Sequence, residues 1–172
     1  MEQLRGQDFD YVVHAAGVTK CLNRNDFFRV NTEGTKHLVN ALLSLQMPMK
    51  KFVYLSSLSV FGPAREQMPY REITDKDTPV PNTAYGQSKL AAENFLHQQA
   101  SLPYVILRPT GVYGPRERDY FMMAKSIKSH VDFAVGYQPQ IITFVYVDDV
   151  VQAVFLALER GPVGGHYCLT DG

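Results

Sequence analysis

Long apolar runs are missing from this chain of 172 residues. The longest candidate, residues 150–158, is interrupted by Gln152 and falls far short of the roughly 18 residues that span a bilayer. Neither sign of charge prevails, since 17 lysines and arginines stand against 17 aspartates and glutamates. A nucleic acid or an acidic membrane surface is therefore not an expected partner, because both select for excess positive charge. Cysteine is scarce. Cys21 and Cys168 lie far apart and form no C-x-x-C pair, so two free thiols in a reducing compartment, and a cytoplasmic protein, are expected. The opening residues Met1-Glu2-Gln3-Leu4-Arg5-Gly6 lack the apolar stretch of a secretory signal, and no internal repeat is present. What is there, 45% hydrophobic and 20% charged, suffices for one domain with a core and is too short for two.

Short β-rich runs alternate with helical spacing. Residues 10–17 form an apolar strand whose end, Ala15-Ala16-Gly17, lets a ligand approach the backbone. His14 within it is expected to be satisfied by a neighbour rather than to serve as ligand or base. Over residues 25–45, Phe27, Val30, Gly34, Leu38, Leu42 and Leu45 recur every three or four positions and mark one helical face. Gly34 costs ~1 kcal/mol relative to alanine, so it is expected to admit close packing of another element, and Pro48 to close the helix. Residues 51–57 read as a second strand ended by Ser56-Ser57, which offer hydroxyls to a ligand or to a cap. Residues 62–81 hold four prolines and read as a long loop.

A helix then runs from Asn82 or Thr83 to Ala100, followed by a strand over residues 104–109 that Pro109 ends. A turn is expected over residues 110–115, a helix over 121–129 and a strand over 141–147. Asp148 reads as the N-cap of a helix over residues 150–160, with Gly161-Pro162 as its stop, and residues 164–170 read as a last strand. Capping and the helix dipole account for Asp148 and Asp149 more cheaply than a metal does, and no metal is expected. The alternation argues for an α/β fold with a parallel sheet and helices on both faces, binding ligand beyond the carboxyl ends of the strands. Ala15-Ala16-Gly17, Ser56-Ser57 and Pro109-Thr110 fall at those ends.

Tyr85-Gly86-Gln87-Ser88-Lys89 places a phenol and an ammonium on one helical face. A free phenol titrates near pH ~10, and a neighbouring cation lowers that value, so the pair is a candidate acid/base. The same five residues are also compatible with an ordinary exposed i,i+4 pair, and only their context decides.

That context resembles the extended short-chain dehydrogenases/reductases. The matching segments are His14-Ala15-Ala16-Gly17, Asn31-Thr32-Glu33-Gly34-Thr35, residues 55–62 (LSSLSVFG), residues 85–89, residues 108–115 (RPTGVYGP) and residues 144–150 (FVYVDDV), in that order over nearly the whole chain. The group includes sugar-nucleotide epimerases and dehydratases, dihydroflavonol reductase-like and 3β-hydroxysteroid dehydrogenase-like enzymes. The resemblance implies catalysis by Ser57, Tyr85 and Lys89, with Lys89 also on the nicotinamide ribose. It places Ala15, Ala16, Gly17, Tyr85, Lys89 and Pro109 along NAD or NADP, and Ser57, Thr110 and Arg116 toward a nucleotide sugar or other alcohol or ketone. Asn31 is expected to be structural, and the helices over residues 25–45 and 85–100 to pair two copies as a homodimer.

Departures shape the remaining expectations. The family's Gly-x-x-Gly-x-x-Gly phosphate loop occurs nowhere, and Leu4 to Asp10 resembles the approach to the family's fourth strand. A partial doubly wound, Rossmann-like sheet lacking its first three strands is expected. Residues 1–172 would then be the C-terminal part of an NAD(P)-binding domain with part of the substrate region. The complete protein is expected to be an enzyme, and this piece inactive and without bound cofactor. The alternatives are a non-catalytic piece that self-associates through an open sheet edge, or a regulatory relative. Leu58-Ser59 replaces the Asp-Glu pair of the family's sugar-nucleotide dehydratases, Gly111 stands where many epimerases carry asparagine, and Ile142 stands near where they use an arginine on the nucleotide. The first departure argues against a 4,6-dehydratase, and the other two weaken a nucleotide-sugar assignment and favour a reductase or dehydrogenase acting on another alcohol or ketone.

Overall fold

The structure, a computed structural model, describes residues 8–63, 72–74, 76–131 and 142–171. Residues 4–7, part of the proline-rich stretch including Pro69, and Ile141 lie outside the described residues. Four parallel strands, β1 (Tyr11–His14), β2 (Lys51–Leu55), β3 (Tyr104–Pro109) and β6 (His166–Leu169), form one sheet in the order β1-β2-β3-β6. Between β1 and β2 the chain is helical in three pieces: α1 (Arg24–Phe27), a π-helical turn (Phe28–Glu33) and α2 (Gly34–Ser44). The crossover from β2 to β3 carries a 3₁₀ turn (Leu58–Phe61) and α3 (Ala84–His97).

Alternation along the central strands builds two cores. Phe52, Tyr54 and Ile106 point to Val39 and Leu42 of α2 and to Ala92 and Leu96 of α3. Val53, Val105 and Leu107 point the other way, to Ala157 of α5 (Val147–Arg160). Because both faces are covered, β2 and β3 read as continuous apolar runs. β1 is different: Tyr11 and Val13, on the α5 side, are 48% and 44% exposed.

Several expectations need correction. Residues 111–113 are not a turn but a strand, β4 (Gly111–Tyr113), and the strand expected over residues 141–147 shrinks to β5 (Phe144–Tyr146) and stays out of the main sheet. The two pair in parallel, held by edge-to-face packing of Tyr113 on Phe144 at 6.3 Å, and the turn comes three residues later, at Gly114 with φ +149°. Asp148 does not cap α5, which starts at Val147 after Tyr146. Asp148 and Asp149 sit in its first turn, where the helix dipole favours them.

Gly34 is another. A Cβ built there meets nothing nearer than the Arg29 carbonyl oxygen at 3.9 Å, and its φ is −57°, so no element needs the space. Gly34→Ala is expected to stabilise the fold by about 0.5–1 kcal/mol through the unfolded chain's lost freedom. A lowered urea midpoint would show that the position is crowded after all. The helix also stops at Ser44 rather than at Pro48, with Gln46 left-handed at φ +50°.

Candidate active site

The strand-end crevice is assembled by local capping. Ser57, just past β2, caps the 3₁₀ turn by accepting the Ser59 N–H at 3.2 Å, and Gly62 leaves that turn at φ +70°. Thr83 caps α3 by accepting the Gly86 N–H at 3.1 Å, which fixes Tyr85 in the first helical turn. Gly86 rests on the 3₁₀ turn so closely that a Cβ would lie 2.3 Å from the Ser59 carbonyl oxygen. This approach brings Tyr85 to Ser57, and Phe27 packs edge-on against the Tyr85 ring at 6.1 Å.

Burial raises the Tyr85 pKa above the usual tyrosine value, while the nearby Ser57 hydroxyl pulls it partly back. The expected lowering by Lys89 is not what this geometry produces. The Lys89 ammonium turns instead to the Leu55 carbonyl at 2.8 Å and sits over the Tyr54 ring, 5.0 Å from its centre. Burial lowers its own pKa to about 8, against the opposing pull of Glu93.

Asn31 ties this centre to β1. Its side chain accepts the Val18 N–H at 2.8 Å and donates to the Val18 carbonyl at 3.0 Å and to Ser88 Oγ at 3.0 Å. The π-helical turn is what lets Asn31 and Thr32 both face inward, and Thr32 donates to the Ser88 carbonyl at 2.8 Å. A Cβ on Gly17 would stand 3.0 Å from Asn31 Oδ1 and 3.3 Å from Lys89 Nζ. A side-chain-free cradle thus lies beside an ammonium with donors beyond the one given to Leu55, which fits the hydroxyls of a ribose.

His14 is satisfied as expected. Thr35 Oγ1 gives its hydrogen to the Asn31 carbonyl at 2.6 Å, so in the 2.9 Å contact His14 Nε2 is the donor. Burial first, then the Lys89 charge, lowers the His14 pKa to about 4. Its unfolded value is near 6.5, so the unfolded chain binds the proton more readily. The stability His14 carries is complete above about pH 6.5 and is lost as pH falls toward 4. Urea titrations from pH 7 to 4.5 are expected to show this decline, and a His14→Gln variant to show a shallower one. Parallel curves would remove His14 from the account.

The remaining candidates divide. Pro109 is buried at the end of β3, facing the crevice rim, and Ala15, Ala16 and Gly17 are exposed past β1. Thr110 is less available than expected: its hydroxyl is held by the Thr143 carbonyl and hydroxyl, both at 2.8 Å. Arg116 is exposed and left-handed at φ +75°, and among the described residues no hydrogen bond or ion pair links it to Ser57, Tyr85 or Lys89. Beneath the site a bidentate pair, Arg108 to Glu93 at 2.6 and 3.1 Å, locks α3 to β3 with both side chains buried. Sequence reading missed this pair, although Glu93 lies one turn beyond Lys89 and Arg108 one residue before Pro109. It also missed Tyr120, whose one signal was the missing side chain at Gly111. Among the described residues no group of His, Cys, Asp or Glu is set to hold a metal ion.

Parallel strands with helices on both faces, and a phenol, a hydroxyl and an ammonium gathered at the strand ends, define a Rossmann-like α/β protein. Residues 1–169 match the NAD dependent epimerase/dehydratase family, and the chain belongs to it. Among curated proteins it is 31% identical to the dTDP-D-glucose 4,6-dehydratase of Mus musculus, over 94% of this chain and 47% of that one. It is 27% identical to the sterol-4-alpha-carboxylate 3-dehydrogenase of Candida albicans, over 88% and 44%. Among solved structures, UDP-glucuronic acid 4-epimerase from Bacillus cereus with UDP-glucuronic acid and NAD superposes with a TM-score of 0.82 at 25% identity, covering 99% of this chain and 56% of that one. RMD from Pseudomonas aeruginosa with NADPH gives 0.80 at 28%, covering 98% and 63%. The chain spans about half the length of the curated relatives it matches.

Proposed function

We propose that the complete protein is an NAD(P)-dependent oxidoreductase of the epimerase/dehydratase kind, acting at a hydroxyl or ketone carbon with Tyr85 as acid/base. The observation that carries this reading is the meeting of Ser57, Tyr85 and Lys89, from separate elements, at the carboxyl ends of parallel strands. A bound dinucleotide would supply the hydride chemistry at the substrate carbon. Lys89 and the cradle at Ala15, Ala16 and Gly17 hold its ribose side, with Pro109 on the nicotinamide side. Ser57 hydrogen-bonds the reacting oxygen, and Thr110 and Arg116 flank the substrate. With its pKa raised, Tyr85 is protonated at neutral pH and equipped to donate to a carbonyl oxygen, and in the reverse direction it takes that proton back.

Dehydration needs an acid for the departing hydroxyl and a base for the neighbouring C–H, and Leu58-Ser59 supply neither. Epimerisation or simple oxidation and reduction therefore fit better than a dehydratase. On this reading residues 1–172 are the C-terminal part of the NAD(P)-binding domain with part of the substrate region. They lack a glycine-rich phosphate loop and are inactive alone. Cys21 and Cys168 form no disulfide among the described residues, which supports the cytoplasm as the compartment. Two copies pair through the helices over residues 25–45 and 85–100, a point that rests on the family resemblance.

Calorimetric titration of NAD and NADP, with absorbance at 340 nm in the presence of nucleotide sugars, tests these points together. The protein at the length made in the cell is expected to bind dinucleotide and to pass deuterium from the substrate carbon to it. The 172-residue chain is expected to do neither. Micromolar binding by the 172-residue chain would refute the incomplete cofactor site, and failure of deuterium transfer in the longer protein would refute the oxidoreductase assignment.

A further inference from the structure

Resting on that functional reading, we propose that Tyr120 is a specificity-determining residue, its hydroxyl held over Gly111 to hydrogen-bond a second hydroxyl of a polyhydroxylated substrate beside the reacting carbon. Gly111 begins β4, directly beyond the end of β3, and has no side chain to fill the crevice wall. Tyr120 fills it instead: a Cβ on Gly111 would lie 2.6 Å from the Tyr120 hydroxyl oxygen, 2.9 Å from its Cζ and 3.2 Å from Phe144 Cδ1. The ring is fixed edge-to-face on Phe144, with centres 4.9 Å apart at 83°.

The backbone that carries Tyr120 is fixed as well. Helix α4 (Asp119–Lys128) begins against the Glu117 carboxylate, which accepts the N–H groups of Asp119, Tyr120 and Phe121 at 2.6, 2.8 and 3.2 Å. Asp119 pairs with Lys20, on the segment that follows the cradle at Gly17. The first turn of α4 therefore bridges the rim from the β1 end to β4, with Tyr120 pointing inward. Its hydroxyl lies near enough to Tyr85 for its charge to raise the Tyr85 pKa. Tyr120 is half-buried, and among the described residues its hydroxyl makes no hydrogen bond.

The chemistry separates two substrate classes. A hexose ring carries a hydroxyl on the carbon next to the reacting one, and a phenol across the crevice can pair with it. A fused-ring sterol alcohol presents C–H there and would leave the phenol desolvated without a partner, which is costly. Tyr120 thus selects the sugar over the sterol.

The test measures binding, so it does not depend on turnover. The protein at cellular length, loaded with NAD and labelled with ¹³Cζ-tyrosine, is titrated with dTDP-glucose and with a 3β-hydroxysteroid. Addition of dTDP-glucose is expected to move the resonance that disappears in Tyr120→Phe. Tyr120→Phe is expected to weaken dTDP-glucose binding by about 3–10-fold while leaving steroid binding level or tighter. Gly111→Ala, which pushes the hydroxyl aside, is expected to reproduce that loss. Equal dTDP-glucose affinity in Tyr120→Phe and the unsubstituted protein, tighter binding of the steroid than of dTDP-glucose by the unsubstituted protein, or binding of neither probe would overturn the proposal. An active Tyr85→Phe protein would sink the acid/base reading and leave these binding results standing.

Discussion

Tyr85→Phe in the complete protein is expected to lower turnover by about 10²–10⁴-fold, the usual worth of a positioned acid/base, and to leave dinucleotide affinity unchanged. The separation follows from where the atoms lie. The substitution removes one hydroxyl, which lies near Ser57. The ring stays against Phe27, and the groups assigned to the dinucleotide, Lys89 and the Gly17 cradle, are held independently by Leu55 and Asn31. Calorimetry with NAD and NADP should therefore give the same constants for both proteins, and single-turnover absorbance should expose the loss. Undiminished turnover would transfer the proton chemistry to another group. Reduced dinucleotide affinity would mean that the phenol itself is a binding contact.

Removing one partner of the Arg108–Glu93 pair is expected to cost about 3–5 kcal/mol, because an unpaired charge is left where water does not reach. The Glu93 side chain is 0% exposed and that of Arg108 5%, and Phe61 covers the guanidinium at 5.0 Å from its ring centre. For a domain whose whole stability is about 5–15 kcal/mol, Glu93→Gln is close to unfolding. At this chain length the loss corresponds to roughly 6–20 °C in Tm. The double variant Glu93→Leu/Arg108→Met separates charge from packing: with both charges gone it should recover most of the loss. A single-variant cost below about 1 kcal/mol would mean that water reaches the pair. Glu93 also supports the Lys89 charge one turn away, so Glu93→Gln, where folded, should lower the Lys89 pKa further below 8.

How much was legible in the chain depended on the range of the interaction. The start of α3 was legible to within two residues, since a cap hydroxyl and an N–H three positions apart decide it locally. The two-sided sheet was legible because strands buried on both faces lack polar alternation. The stretch after Pro109 was misread, since its glycines mark a turn only if no second strand pairs with it, and that strand lies some thirty residues later. Gly34 was misread for the converse reason: a helical glycine says that space is available, not that anything fills it.

By itself, then, the sequence determined the α/β architecture, the family and the positions of Ser57, Tyr85 and Lys89, because periodicity and short motifs record contacts within a turn or a strand. Only the tertiary structure decided how these side chains meet. It brought Ser57 near the Tyr85 phenol, turned Lys89 toward Leu55 and the Gly17 cradle, and paired Arg108 with Glu93 beneath them. It also brought Tyr120 over Gly111 from a helix that the motifs never marked. Those outcomes depend on burial and on approaches of a few ångströms between distant elements, and both exist only once the sheet and helices have packed.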